Sequence, residues 1–161
     1  MKKQTKIIIG IIIVLAVLAG VFGVMNRNAS KGKDGLVIAS GGKETVIAWE
    51  DIKREAFEGD LVNGKGESKH HAYEGAPLAS VLEQAKAGIS ENSKLTVTSE
   101  DNYSAELSGA EVLEAGKVYV ALTQDGEMIE GIEGGQGAQL IVFGDTNSKR
   151  AVRYMKTVST E

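Results

Sequence analysis

One stretch limits this chain more than any other: Gly131-Ile132-Glu133-Gly134-Gly135-Gln136-Gly137-Ala138, followed directly by Gln139-Leu140-Ile141-Val142-Phe143-Gly144-Asp145. Glycine at this density permits positive φ and close backbone approach. The apolar run behind it reads as a buried strand, ended by the turn signal Gly144-Asp145. Because the run opens a strand and not a helix, it lacks the helix N-terminus that holds a dinucleotide pyrophosphate. No Gly-Lys-Ser/Thr follows, so it is not a Walker-type phosphate loop. A tight turn feeding a sheet is the reading that remains. The basic and apolar segment 148–158 then returns the chain to that sheet.

The rest of the chain reads as short strands separated by turns. Leu36-Val37-Ile38-Ala39 and Thr45-Val46-Ile47-Ala48 flank Ser40-Gly41-Gly42, a hairpin pattern. A short helix is expected over residues 49–54, with Trp49, Ile52 and Ala56 facing inward. Residues 57–67 read as a strand leading into a glycine-bearing loop. Pro77 suits the first position of a helix reaching Lys86 and stopped by Gly88. Its apolar face is Leu78, Val81, Leu82 and Ala85, at helical spacing. Residues 94–99 and 103–107 alternate around Glu100-Asp101-Asn102, again a hairpin. Ser108-Gly109-Ala110-Glu111 is a capping box opening a second short helix. Val118-Tyr119-Val120-Ala121-Leu122 is a strand with a turn at Asp125-Gly126. Strands outnumber helices and both helices are short, so the class is α+β with a mixed, mostly antiparallel sheet.

Residues 7–24 carry no charge. As a helix they would reach about 27 Å at 1.5 Å per residue, enough for a hydrocarbon core of about 30 Å. A signal-peptide core is shorter and ends in a small-x-small site, so a retained N-terminal transmembrane helix is expected. Residues 1–25 are then the membrane anchor, 26–35 a flexible spacer and 36–161 the folded domain. The folded domain is placed outside the cytoplasm, as in a single-pass signal anchor of the cell membrane. There is no cysteine. Lys2, Lys3 and Lys6 are among the 18 basic residues, whereas all 22 acidic residues follow the apolar stretch. The part beyond it is therefore net acidic, which argues against nucleic-acid binding.

Four stretches in order carry a family resemblance. They are Tyr73-Glu74-Gly75-Ala76-Pro77-Leu78 with Leu82, Asp101-Asn102-Tyr103 with the following capped helix, Ala121-Leu122 with Asp125-Gly126, and the glycine run with its strand and basic segment. Together they resemble the oxidoreductase molybdopterin-binding domain, the sulfite-oxidase-like fold, from about Leu36 onward. The resemblance implies that fold and a groove built from Asn63, His71, Tyr73, Asn102, Tyr103, Gly135, Gly137, Gln139 and Arg150. It also implies where a metal-binding cysteine would stand, in the loop 61–68, which here reads Leu-Val-Asn-Gly-Lys-Gly-Glu-Ser. A soft thiolate is what molybdenum asks of that position. Gln139 stands where the family has arginine, and Gly137 where it has proline.

These departures point to a binding or interaction module with no catalytic residues, no metal site and no cofactor; molybdopterin is the one cofactor the resemblance would bring. The expected partners are the membrane through residues 7–24 and a small anionic ligand or a protein. The rival is a molybdopterin-dependent oxidoreductase, or a subunit of one, with a non-cysteine metal site. His70 and His71 are read as a surface pair before a turn, since adjacent strand residues point to opposite faces. Lys149, Arg150, Arg153 and Lys156 are read as solvated flanks of the last strand or as an anion contact.

Overall fold

Alternation sets the architecture. The computed structural model describes residues 34–161, and the 7–24 stretch lies outside the described residues. Strand β1 (Gly35–Ser40) buries Leu36 and Ile38 on one face and turns at Gly41-Gly42 into β2 (Lys43–Ala48). A single 3-10 turn at Trp49–Asp51 takes the place of the expected helix, leaving Trp49 and Ile52 buried. Ala56 is exposed, because it already belongs to the strand β3 (Glu55–Val62). β4 (Ser68–Pro77) follows without interruption to the first helix, α1 (Leu78–Gln84). The two histidines therefore lie inside a long strand and not before a turn. Their opposite-face geometry holds: His70 is exposed and His71 buried.

Pro77 caps α1 from outside the helix instead of occupying its first turn. The helix stops two turns on because Lys86 enters the left-handed region at φ +57°, before Gly88 is reached. Next come β5 (Lys94–Ser99), β6 (Ser104–Ser108) and α2 (Gly109–Leu113). The α2 capping box forms in both directions, Ser108 Oγ accepting from Glu111 N and the Glu111 carboxylate from Ser108 N. β7 (Val118–Gln124), β8 (Glu127–Met128), β9 (Gln139–Val142), a 3-10 turn at Ser148–Arg150 and β10 (Met155–Thr160) complete the order.

The strands form two sheets. One runs β2-β1-β10-β5-β6; in the other β3-β4-β7-β8 are neighbours and β9 also pairs with β7. β1 with β10 is parallel and the other strand pairs are antiparallel, so the mixed, mostly antiparallel α+β class holds. One core joins both sheets: Leu36, Ile38, Leu95, Val97 and Val158 from the first meet Val118, Val120, Leu122 and Leu140 from the second, with Leu78, Val81 and Leu82 of α1. The other face of the second sheet carries a smaller cluster of Tyr73, Ala121 and Ile141 beneath Phe57, Tyr119 and Phe143. Among the described residues no helix is long and apolar enough to cross a membrane.

Candidate functional site

The sequence-predicted groove residues fall into three neighbourhoods. The first is in the middle of β4, beside Asp125. His71 Nδ1 lies 2.6 Å from Asp125 Oδ2 and 3.1 Å from Gln124 Nε2. One nitrogen cannot donate to a carboxylate and accept from an amide at once. The shorter, charge-assisted contact decides for Nδ1–H donating to Asp125. Asp125 Oδ1 also accepts from Ala72 N, and Asp125 N donates to Ala72 O, so this turn residue ties down the β3–β4 arm. The bond from His71, and then that from Ala72 N, holds the Asp125 carboxyl below its ordinary pKa. Tyr73 stacks on Phe57 at 5.2 Å between ring centres, and its hydroxyl is buried with no hydrogen-bond partner. Burial, with a smaller contribution from the Asp125 charge, pushes that phenol up to about 12.

The second neighbourhood gathers Asn63, Asn102, Tyr103 and Arg150. Asn63 spends its side chain on its own turn, accepting from Lys65 N and Glu67 N and donating to Glu67. Asn102, at φ +66°, shapes the β5–β6 turn, and Tyr103 OH donates to Lys149 O. Ser148 Oγ donates to Val62 O, joining the β3–β4 arm to the same loop. Arg150 is fully engaged: it holds the Asp145 carboxylate with two nitrogens and reaches Glu111 at 2.9 Å. Those two carboxylates raise its pKa further above its ordinary value, Asp145 foremost. The guanidinium acts as a strap between the β9–β10 loop and α2, its charge already answered by two carboxylates.

The third neighbourhood is the glycine run. It forms a hairpin closed by a bridge between Glu130 and Gln136, with Gly131 N donating to Gly135 O at 3.2 Å. Gly137 is required by close approach: a Cβ there would sit 2.6 Å from Gly131 N and 2.7 Å from the Glu130 carbonyl carbon. The Gln136 carboxamide threads beneath, donating to Gly137 O and Leu122 O. The hairpin tip reaches the β5–β6 turn, where Ile132 N donates to Glu100 Oε2. Segment 152–155 runs alongside β9, with Leu140 N donating to Val152 O and Met155 N to Ala138 O. That pairing sets Arg153 and Tyr154 beside Gln139.

Between β8, the hairpin and this segment lies an open groove of about 760 Å³ lined by Gln124, Glu127, Met128, Ile129, Glu130, Gly131, Ile132, Gln139, Arg153 and Tyr154. Gln139 is 7% exposed, and its carboxamide makes no hydrogen bond among the described residues. It is not among the side-chain atoms cut off from solvent without a partner, so its polar end opens to the groove. Arg153, Glu127 and Glu130 make no ion pair among the described residues. No three His, Asp or Glu side chains among those residues are grouped to hold a metal ion.

No family model matches the sequence, and no curated protein matches it. Among solved structures it is similar to the sulfane dehydrogenase SoxCD from Paracoccus pantotrophus, with 18% identity and a TM-score of 0.62. The match covers 78% of this chain and 37% of that one. The fold is sulfite-oxidase-like. At this identity the likeness carries the fold alone.

On this sulfite-oxidase-like framework the predicted residues only partly converge. Gln139 lines the groove and Gly135 and Gly137 shape the hairpin beside it, while His71 only neighbours the groove residue Gln124, its Nδ1–H being committed to Asp125. Asn63, Asn102, Tyr103 and Arg150 are engaged in turns and straps of their own. Sequence reasoning missed Glu127, Glu130, Arg153 and Tyr154 as neighbours of Gln139. Arg153 was visible only as one of four bases around the last strand.

Proposed function

We propose that this domain is an extracytoplasmic binding module, held at the membrane through residues 7–24, which takes a small polar ligand in the groove above Gln139. The observation that carries this reading is Gln139 itself, nine-tenths buried, with an unpartnered amide opening into a groove of small-molecule size. Because that amide opens to the groove, water meets it in the free protein, and a ligand that replaces the water must offer it both an acceptor and a donor.

The fold brings molybdopterin into question, and the residues present do not fit it. The loop 61–68 offers no sulfur, and Asn63 is used within its own turn. The family's arginine is Gln139, Arg150 is neutralised by Asp145 and Glu111, and the groove carries two carboxylates against one unpaired cation. Losing one charge-assisted phosphate contact costs about 1.5–3 kcal/mol, roughly ten- to a hundredfold in affinity. Molybdenum analysis of the full chain purified from its own host tests the reading. The expected result is no stoichiometric molybdenum. The second reading, a redox subunit that holds the cofactor without a protein sulfur ligand, draws on the likeness to SoxCD. Near-equimolar molybdenum would establish it and overturn the binding module. The orientation has its own check: protease added to intact cells lacking an outer barrier should digest the domain, and full protection would put it on the other side.

A further inference from the structure

We infer that the ligand of this groove is a zwitterion with an apolar side group, of the α-amino-acid type; this rests on the reading of the groove as a binding site. The charges at the rim are of both signs and all unspent. Arg153 is exposed and pairs with no carboxylate among the described residues, although Glu127 and Glu130 line the same groove. Exposed ions gain little from pairing with one another, so these three stay hydrated and open to a ligand, whereas the half-buried Arg150, three residues earlier, is spent on two carboxylates. Three unpaired charges around one concavity leave a carboxylate-binding guanidinium and two ammonium-binding carboxylates on a common ligand path.

The floor and rim supply the rest of the match. Gln139 offers both a donor and an acceptor from a nine-tenths buried side chain. Met128 and Ile132, two of the few large apolar side chains left exposed, stand at the same rim. An anion alone would leave Glu127 and Glu130 unanswered, and a cation alone would leave Arg153 so. A zwitterion answers both signs at once, and its apolar side group covers Met128 and Ile132.

The four methionines make the test direct, since Met128 lies at the groove while Met155 is buried in the core. The full chain, labelled with methyl-¹³C methionine and held in nanodiscs, is titrated with leucine, with 3-methylbutylamine, with 4-methylpentanoate and with inorganic phosphate. Leucine should shift the Met128 methyl resonance saturably while Met155 stays fixed. Each half-ligand should bind at least about tenfold more weakly, the loss expected for one charge-assisted contact. Arg153→Gln and Glu130→Gln should each weaken leucine by a similar factor. Both residues are at the surface, and an unmoved Met155 signal shows that the variants are folded. If phosphate or 4-methylpentanoate binds as tightly as leucine, the zwitterion is wrong while the groove stands as a binding site. If no probe moves Met128, the inference and the binding-site reading fall together.

Discussion

Tyr73 sits on the smaller cluster with a hydroxyl that meets neither solvent nor a partner. Removing it takes away a desolvated polar group and leaves the ring stack on Phe57 intact. Tyr73→Phe should therefore leave stability unchanged or raise it by up to about 1–2 kcal/mol. A loss of more than about 1 kcal/mol in chemical unfolding would reveal a partner for that oxygen. The same burial gives a pH signature. The folded-state pKa of about 12 lies above the ordinary value of 10, so the native state keeps its proton where the unfolded chain releases it. Stability should be whole below about pH 10 and fall as pH rises toward about 12, with one tyrosine ionising last in the absorbance titration. Tyr73 could be named from the sequence because it stands in a recognisable stretch beside Pro77. Its missing partner could not, since that depends on what the fold lays over it. Arg150 shows the opposite limit: Asp145 is five positions away but Glu111 is 39 positions back, with β7, β8 and β9 between them, and no local pattern brings the three together.

Local pattern did govern the elements. The hairpins β1–β2 and β5–β6 and the strand β9 follow from alternation and turn residues that act within a few positions, and the capping box formed where its spacing put it. Errors arose where two local signals competed. The segment after Trp49 has helical composition but yields to pairing of β3 with β4 across eight registers. His70 and His71 looked like loop residues because the turn signal at Pro77 hid a ten-residue strand. α1 was legible from its apolar face, and that face is its chief contribution to the core: Leu78, Val81 and Leu82 are wholly or almost wholly buried, and both the second sheet and α2 pack against the helix. A seven-residue helix has little stability of its own, so packing holds it. Leu82→Ala should cost about 2–5 kcal/mol, the range for a truncated core leucine. Against a total of about 5–15 kcal/mol, the melting temperature should drop by many degrees. An unchanged melt would mean that the Leu82 side chain is not where the core needs it.

The whole molecule depends on its last strand. β10 is not an edge: it lies between β1 and β5, parallel to the first and antiparallel to the second. Val37 to Ser40 pair with Thr157 to Thr160, and Thr160 Oγ1 donates to Ser40 Oγ across 120 positions of sequence. Without β10 the first sheet becomes two separate hairpins, β1–β2 and β5–β6, each with a bare inner edge. Two-stranded hairpins are marginal on their own, and Met155 and Val158 would leave the joint core with the strand. Groove and fold are coupled through the same segment, because Met155 N donates to Ala138 O immediately before Gln139. Pairing that joins the first described strand to the last must also close a loop of nearly the whole domain. High contact order of this kind makes folding slow, in the millisecond-to-second range. A full chain cut after Tyr154 should lose cooperative unfolding in calorimetry and, with it, the leucine-dependent shift of the Met128 methyl resonance. Supplying residues 155–161 as a peptide should restore part of both, since the strand's place is defined on two sides. A truncated chain that still melts cooperatively at the parent temperature would show that the two hairpins close without β10, and would remove this strand from its central position.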